Sequence, residues 1–215
     1  MLKKLLAALI FTPLIAWASA SGPVQYQAGV HYDVVAEKAT AKPEVLEFFS
    51  FYCPHCKAFE PFAQALEKSL PNKQKLIKNH VDFLRAASPE MQQALAKAYV
   101  IAKNSGQGDR IADAIFGYIH NQRASFSSEQ DIRNLLVVND IPAMLVDAGM
   151  INPAVIAEVT AMKSRQDKYS EAKVLQSVPM LLVNGKYQVK FSGLSKDNFQ
   201  QDLNAVVAFL MAKKD

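Results

Sequence analysis

The sequence predicts an α/β protein in which one mixed sheet, assembled from both ends of the chain, is interrupted by an all-helical insertion domain. Three observations carry this prediction. Residues 45–51 and 76–83 are apolar, strand-like runs on either side of a helical segment. Residues 88–173 hold only patterns of helical period, and strand character returns at residues 180–183 and 186–191, ahead of a last amphipathic helix. The order is therefore βαβ, helical block, ββα, and the two ends need each other to complete one sheet. The expected division is a leader at 1–20, the first part of the sheet domain at 21–85, the insertion at 86–165 and the second part of the sheet domain at 166–215.

The leader has the three parts of a secretory signal: Lys3 and Lys4, an apolar run over residues 5–17, and Ala18-Ser19-Ala20 as a small-residue cleavage site. The mature chain is expected to begin at Ser21. A membrane anchor is the competing reading, but a spanning helix needs about 20 apolar residues, and this run is shorter and carries Pro13.

Residues 45–51 are apolar on both faces except for Glu47 and Ser50, as expected of a strand inside a sheet. Pro54 suits the first turn of the helix that follows. There Phe59, Phe62, Leu66 and Leu70 recur at helical spacing, and Pro61 is expected to kink it. Cys53 should therefore sit at a helix N-terminus. Pro71-Asn72 ends that helix before the second strand. In the insertion, Ser88-Pro89-Glu90 starts a helix with Met91, Leu95, Ala98 and Ala102 on one face. Asp109 opens another, Ser127 or Ser128 caps a third, a short one covers 142–149, and Asn152-Pro153 begins a long one reaching toward Lys173. Asn184-Gly185 is a strong two-residue hairpin signal, and a last helix from near Ser195 uses Phe199, Leu203, Val206, Val207 and Leu210.

The formal charge of +4 is spread along the chain with no basic cluster, so neither nucleic acid nor an anionic membrane surface is expected as a partner. Cysteine use is more informative. The chain has only two, Cys53 and Cys56, in the motif Cys53-Pro54-His55-Cys56. A thiolate rather than a thiol attacks a disulfide, so a reactive cysteine needs a lowered pKa. The helix N-terminus, His55 within the loop and the thiol of Cys56 would each favour an anion at Cys53.

Two other readings use the same residues. A structural staple closing a loop of about four residues yields roughly 2 kcal/mol, against about 3 for a 15-residue loop, so a staple would be better placed between distant segments. A metal centre could use Cys53, His55 and Cys56, but zinc takes four ligands, and His31, His80 and His120 are scattered through the sequence.

Leu46-Glu47-Phe48-Phe49-Ser50-Phe51-Tyr52 leading into the cysteine motif, with Val178-Pro179 and Val183-Asn184-Gly185-Lys186-Tyr187 later, closely resembles the DsbA family of periplasmic thiol:disulfide interchange proteins. The resemblance spans the mature chain. It implies a thioredoxin fold with a helical insertion, Cys53 as the exposed nucleophile, Cys56 as its buried partner, and a dithiol oxidase active on exported proteins with free cysteines. It also implies reoxidation by a DsbB-like, quinone-linked membrane oxidase, a periplasmic location and no cofactor; a monomer is expected. The family further implies that Pro179 is cis beside the cysteines and that Val178 offers its backbone to an extended substrate. Glu47 taken alone could face solvent at a sheet edge, whereas the family pattern places it under the site near Lys78 as a proton relay to Cys56. Burial would raise the Glu47 pKa and Lys78 would lower it, and the sequence leaves that balance open.

Overall fold

The computed structural model describes residues 26–213, so the expected leader and its cleavage point lie outside the described residues. One sheet contains β1 (Tyr32–Val34), β2 (Val45–Phe49), β3 (Leu76–His80), β4 (Met180–Val183) and β5 (Tyr187–Val189), in the order β1-β5-β4-β2-β3. Only β2 and β3 run parallel; the other neighbouring pairs are antiparallel. With partners on both sides, β2 is buried along its whole length, which explains its unbroken apolar character. The parallel register sets Glu47 beside Lys78, and the antiparallel one sets it beside Leu181.

The helices are α1 (Pro54–Ser69), α2 (Pro89–Asn104), α3 (Gly108–Phe116), α4 (Glu129–Val138), α5 (Ala143–Met150), α6 (Pro153–Glu171) and α7 (Phe199–Ala212). Their starts follow cap chemistry. The Ser88 hydroxyl accepts the Met91 N–H, Ser128 forms a capping box with Asp131, and Asn152 accepts the Ala154 N–H. The Asn184-Gly185 turn has both residues at positive φ, 53° and 62°, with the Lys186 N–H on the Val183 carbonyl, the geometry that a two-residue hairpin signal demands.

Several expected boundaries change. Strand β1 shows no signal in the sequence, being three residues at the sheet edge with Val34 half exposed. The strand expected to reach Phe83 stops at His80, because Gln166 takes the Asp82 N–H at 2.8 Å and turns the chain toward α2. The strand expected over 186–191 is shorter at both ends and gives way to a turn at Phe191–Gly193; there Gly193 approaches Val30 so closely that a Cβ would lie 2.1 Å from its carbonyl oxygen. The last helix starts at Phe199, four residues later than its first polar signal. Helix α1 continues through Pro61 as a single element, held by the buried Phe59, Ala63 and Leu66 on its inner face. The boundary expected between residues 165 and 166 falls inside α6, which runs from the insertion back to the sheet.

Three apolar clusters result. One joins α1 and α7 to one face of the sheet, and another places Tyr169 of α6 and Leu175 against Leu46, Phe48 and Leu182 on the other. The largest fills the helical insertion, and it also contains Phe49, Phe51, Cys53 and Cys56. The two cysteines thus sit where the insertion closes over the end of β2.

Candidate active site

Helix α1 begins at Pro54, and Cys53 is its N-cap, with extended backbone (φ −95°, ψ 115°). Its Sγ accepts the Cys56 N–H at 3.3 Å, a cap bond made by sulfur. The site lacks the open nucleophile that the resemblance implies, for Cys53 is only 5 % exposed. Pro54 and His55 take the solvent-facing positions, and the other side of the sulfur lies 3.4 Å from the Val178 carbonyl oxygen. Cys56 is fully buried one helical turn in, and both cysteines are free thiols here.

The two thiols are pushed apart in acidity. The Cys56 thiol donates to Cys53 and lowers it to about 6; burial opposes this, and the Cys56 and His55 N–H groups and the nearby imidazole of His55 reinforce it. Cys56 moves strongly upward, first through burial and then through sharing its proton with Cys53. The pair therefore holds one proton near neutrality. Cys53 is the stable thiolate and good leaving group, while Cys56 must gain or lose a proton whenever the S–S bond opens or closes.

Beneath Cys56 lies a buried charge cluster. Lys78 Nζ sits 3.2 Å from Glu47 Oε2 and also donates to Glu60 Oε2, with all three side chains within 3 % of full burial. Neither oxygen of Glu47 has a hydrogen-bond partner among the described residues. Burial raises the Glu47 pKa to about 7, Lys78 pulls it down, and Glu60 pushes it up again. Burial alone would lower Lys78, but the two carboxylates outweigh it and its pKa rises. Glu60 is absent from the sequence reading, although a signal existed: it lies four residues after Cys56, on the same inner face of α1.

A titration consequence follows. With a folded pKa near 7 and an unfolded one of about 4.3, Glu47 supports the fold below pH 4.3, and that contribution is lost as pH rises through 7. Glu47→Gln keeps the shape without the charge. It should therefore stabilise the protein at pH 8, on the order of 3 kcal/mol, with no gain at pH 4. Urea unfolding at the two pH values checks this, and an equal effect at both would show that Glu47 is not the titrating group.

The Val178-Pro179 bond is cis and both residues are half-buried, with the Val178 carbonyl oxygen against Cys53 Sγ. Lys78, Glu47, Cys53, Cys56, His55, Val178 and Pro179 are thus brought to one end of the sheet. The other two histidines within reach hold backbone: His80 Nε2 accepts the Phe51 N–H at 3.1 Å, and His120 Nε2 is 2.8 Å from the Phe51 carbonyl oxygen. Burial pushes His80 down to about 3, which keeps its ring neutral and able to accept.

Residues 44–204 match the model of the DSBA-like thioredoxin domain. The chain belongs to the DsbA family. It is 36 % identical to the thiol:disulfide interchange protein DsbA of Pectobacterium carotovorum subsp. carotovorum, over 99 % of this chain and 100 % of that one. The corresponding protein of Dickeya dadantii is 35 % identical with the same coverage. Among solved structures, Proteus mirabilis DsbA superposes with a TM-score of 0.75 at 29 % identity, covering 88 % of this chain and 98 % of that one. Klebsiella pneumoniae DsbA gives 0.74 at 27 % identity, covering 89 % and 100 %. Membership makes the chain a protein thiol:disulfide oxidoreductase with a thioredoxin fold and a helical insertion.

Proposed function

We propose that the chain is an exported dithiol oxidase that donates the Cys53–Cys56 disulfide to other exported proteins. The observation that carries this reading is the split in acidity of the two thiols. Cys53 falls to about 6 at a helix N-terminus while Cys56 rises, so the reduced pair is stabilised as a thiolate and the disulfide is correspondingly oxidising.

The cycle starts with the disulfide. A substrate thiolate attacks Cys53 Sγ, the Cys53–Cys56 bond breaks, and Cys56 leaves and takes a proton. A second substrate thiolate then attacks the substrate sulfur of the mixed disulfide and expels Cys53 as a stable thiolate. Two electrons pass from the substrate pair to the site cysteines. Glu47, near 7 and electrostatically coupled to Cys56, is suited to give and recover the proton, with Lys78 holding its charge. The half-buried Val178 backbone, with Pro179 fixing its turn, lies where an extended substrate could pair beside the sulfur. A Proteus mirabilis DsbA variant has been solved with a non-covalently bound peptide, which supports such a groove here. The leader at residues 1–20 would deliver the chain to the periplasm, where a DsbB-like, quinone-linked membrane oxidase would take the two electrons back.

The test is an electron inventory. Oxidised protein should place disulfides in a reduced, unfolded substrate in proportion to its own amount and then stop; membranes carrying a quinone-linked oxidase should restart turnover. Failure of the first step would overturn the reading, and failure of the second only the partner.

A further inference from the structure

We infer that His120, in the helical insertion, is a positioning residue that sets the reactive cysteine by holding the Phe51 carbonyl. Phe51 lies two residues before Cys53, and its peptide groups are gripped from opposite elements. His80 of β3 accepts its N–H at 3.1 Å, and His120 lies 2.8 Å from its carbonyl oxygen. A carbonyl cannot donate, so the His120 Nε2 carries the hydrogen and donates it. The Phe51 ring stacks on His80, with centroids 5.1 Å apart, and packs against Phe116 at 5.0 Å, one helical turn before His120.

The insertion reaches the site through an unusual turn. Helix α3 runs on into a π-turn, Gly117–Asn121, that carries both His120 and Asn121. Such a turn accommodates one extra residue and redirects the side chains that follow, and it is frequent at functional sites. Here it supplies two contacts that bracket the cysteine motif: His120 to Phe51 on one side, and Asn121 Oδ1 accepting from Lys57 Nζ on the other. Neither side chain touches either sulfur among the contacts described. Their effect reaches Cys53 through the backbone, because Cys53 N–H bonds to the Ser50 carbonyl and Tyr52 N–H to the Ser50 hydroxyl, so residues 50–53 move as one tight turn. Freeing the Phe51 carbonyl would let that turn shift and would spoil the alignment of the Cys53 sulfur with the Cys56 N–H.

The inference rests on the proposed function only in taking Cys53 as the reactive thiol, which alkylation of the unaltered protein tests separately. The decisive comparison is His120→Phe, which keeps a ring without the donor, against His120→Gln, which restores an N–H at similar reach. Two quantities are read in each: the pH midpoint of Cys53 alkylation and the equilibrium constant of the Cys53–Cys56 couple with glutathione. His120→Phe should raise the midpoint and make the couple less oxidising by about fivefold, the effect of one neutral hydrogen bond, and His120→Gln should return both toward the original values. The inference is overturned if His120→Phe leaves both quantities unchanged, or if His120→Gln is as altered as His120→Phe. The unaltered protein alkylating first at Cys56 would instead reverse the roles that the proposed function gives the two cysteines.

Discussion

Cys53→Ser is expected to abolish oxidation of reduced, unfolded substrates, while Cys56→Ser, offered a disulfide-containing substrate, should hold it as a stable mixed disulfide. The asymmetry comes from the helix start. Cys53 caps α1 and carries the lowered pKa, so it is the sulfur that attacks and is attacked; Cys56 is buried one turn in, with its proton held, and acts as the internal resolving group. Without Cys53 no disulfide remains to donate and no low-pKa thiolate remains to attack. Without Cys56 the attack still occurs, but nothing within the protein releases the product. Non-reducing electrophoresis of each variant mixed with substrate reads both outcomes. If Cys56 in the reduced parent protein is alkylated before Cys53, the assignment of the two roles is reversed.

Lys78→Met should cost about 3–5 kcal/mol of stability at pH 8, since removing one partner of a buried ion cluster leaves uncompensated charge. Here two carboxylates, Glu47 and Glu60, would face each other with no cation between them, and the Nζ contact with the Phe49 ring, 4.7 Å from its centroid, would also go. The loss should shrink toward pH 4, where protonation of Glu47 removes its charge from the cluster. Urea unfolding of parent and variant at both pH values measures it. A deficit that stays constant with pH would mean that Lys78 acts by filling space. Glu47→Gln, in contrast, removes the surplus charge and is expected to stabilise.

The sheet was legible because its central strand leaves few choices. Residues 45–49, apolar on both faces except at Glu47, read as a strand with neighbours on each side, and Pro54 suits the first turn of a helix. Caps at Ser88, Ser128 and Asn152 similarly announce their helices by local chemistry. Strand β1 was not legible, since three residues cannot display an alternation and their place comes from pairing with β5. The early end of β3 depends on Gln166, 84 residues downstream, which no local pattern around Asp82 reveals. At the site, both cysteines stood out from the sequence alone, and the family resemblance drew in Glu47, Lys78 and Pro179. Glu60 had a signal in its i, i+4 spacing from Cys56 on α1, but its partner Lys78 shows only in the fold, and His120 required the folded chain, because nothing local to the π-turn announces its contact with Phe51. The resemblance brought Val178 and Pro179 to the cysteines, but how far Cys53 is covered, with the Val178 carbonyl 3.4 Å from its sulfur, shows only in the folded chain.

The most direct test of the whole account is the stability of the reduced protein relative to the oxidised one as a function of pH. In the reduced protein Cys53 has a folded pKa of about 6, below its unfolded value of about 8.5. A lowered pKa stabilises the fold fully above the unfolded value, and the contribution is lost as pH falls through the folded one. The oxidised protein has no such titration. Thermal unfolding of both forms from pH 4 to 9 should therefore show the gap shifting toward the reduced form between about pH 6 and 8.5, by at most about 1.4 kcal/mol per pH unit, the limit for one titrating thiol. An oxidised form that is more stable at every pH, with a gap that does not change, would contradict the account and make the Cys53–Cys56 bond a staple.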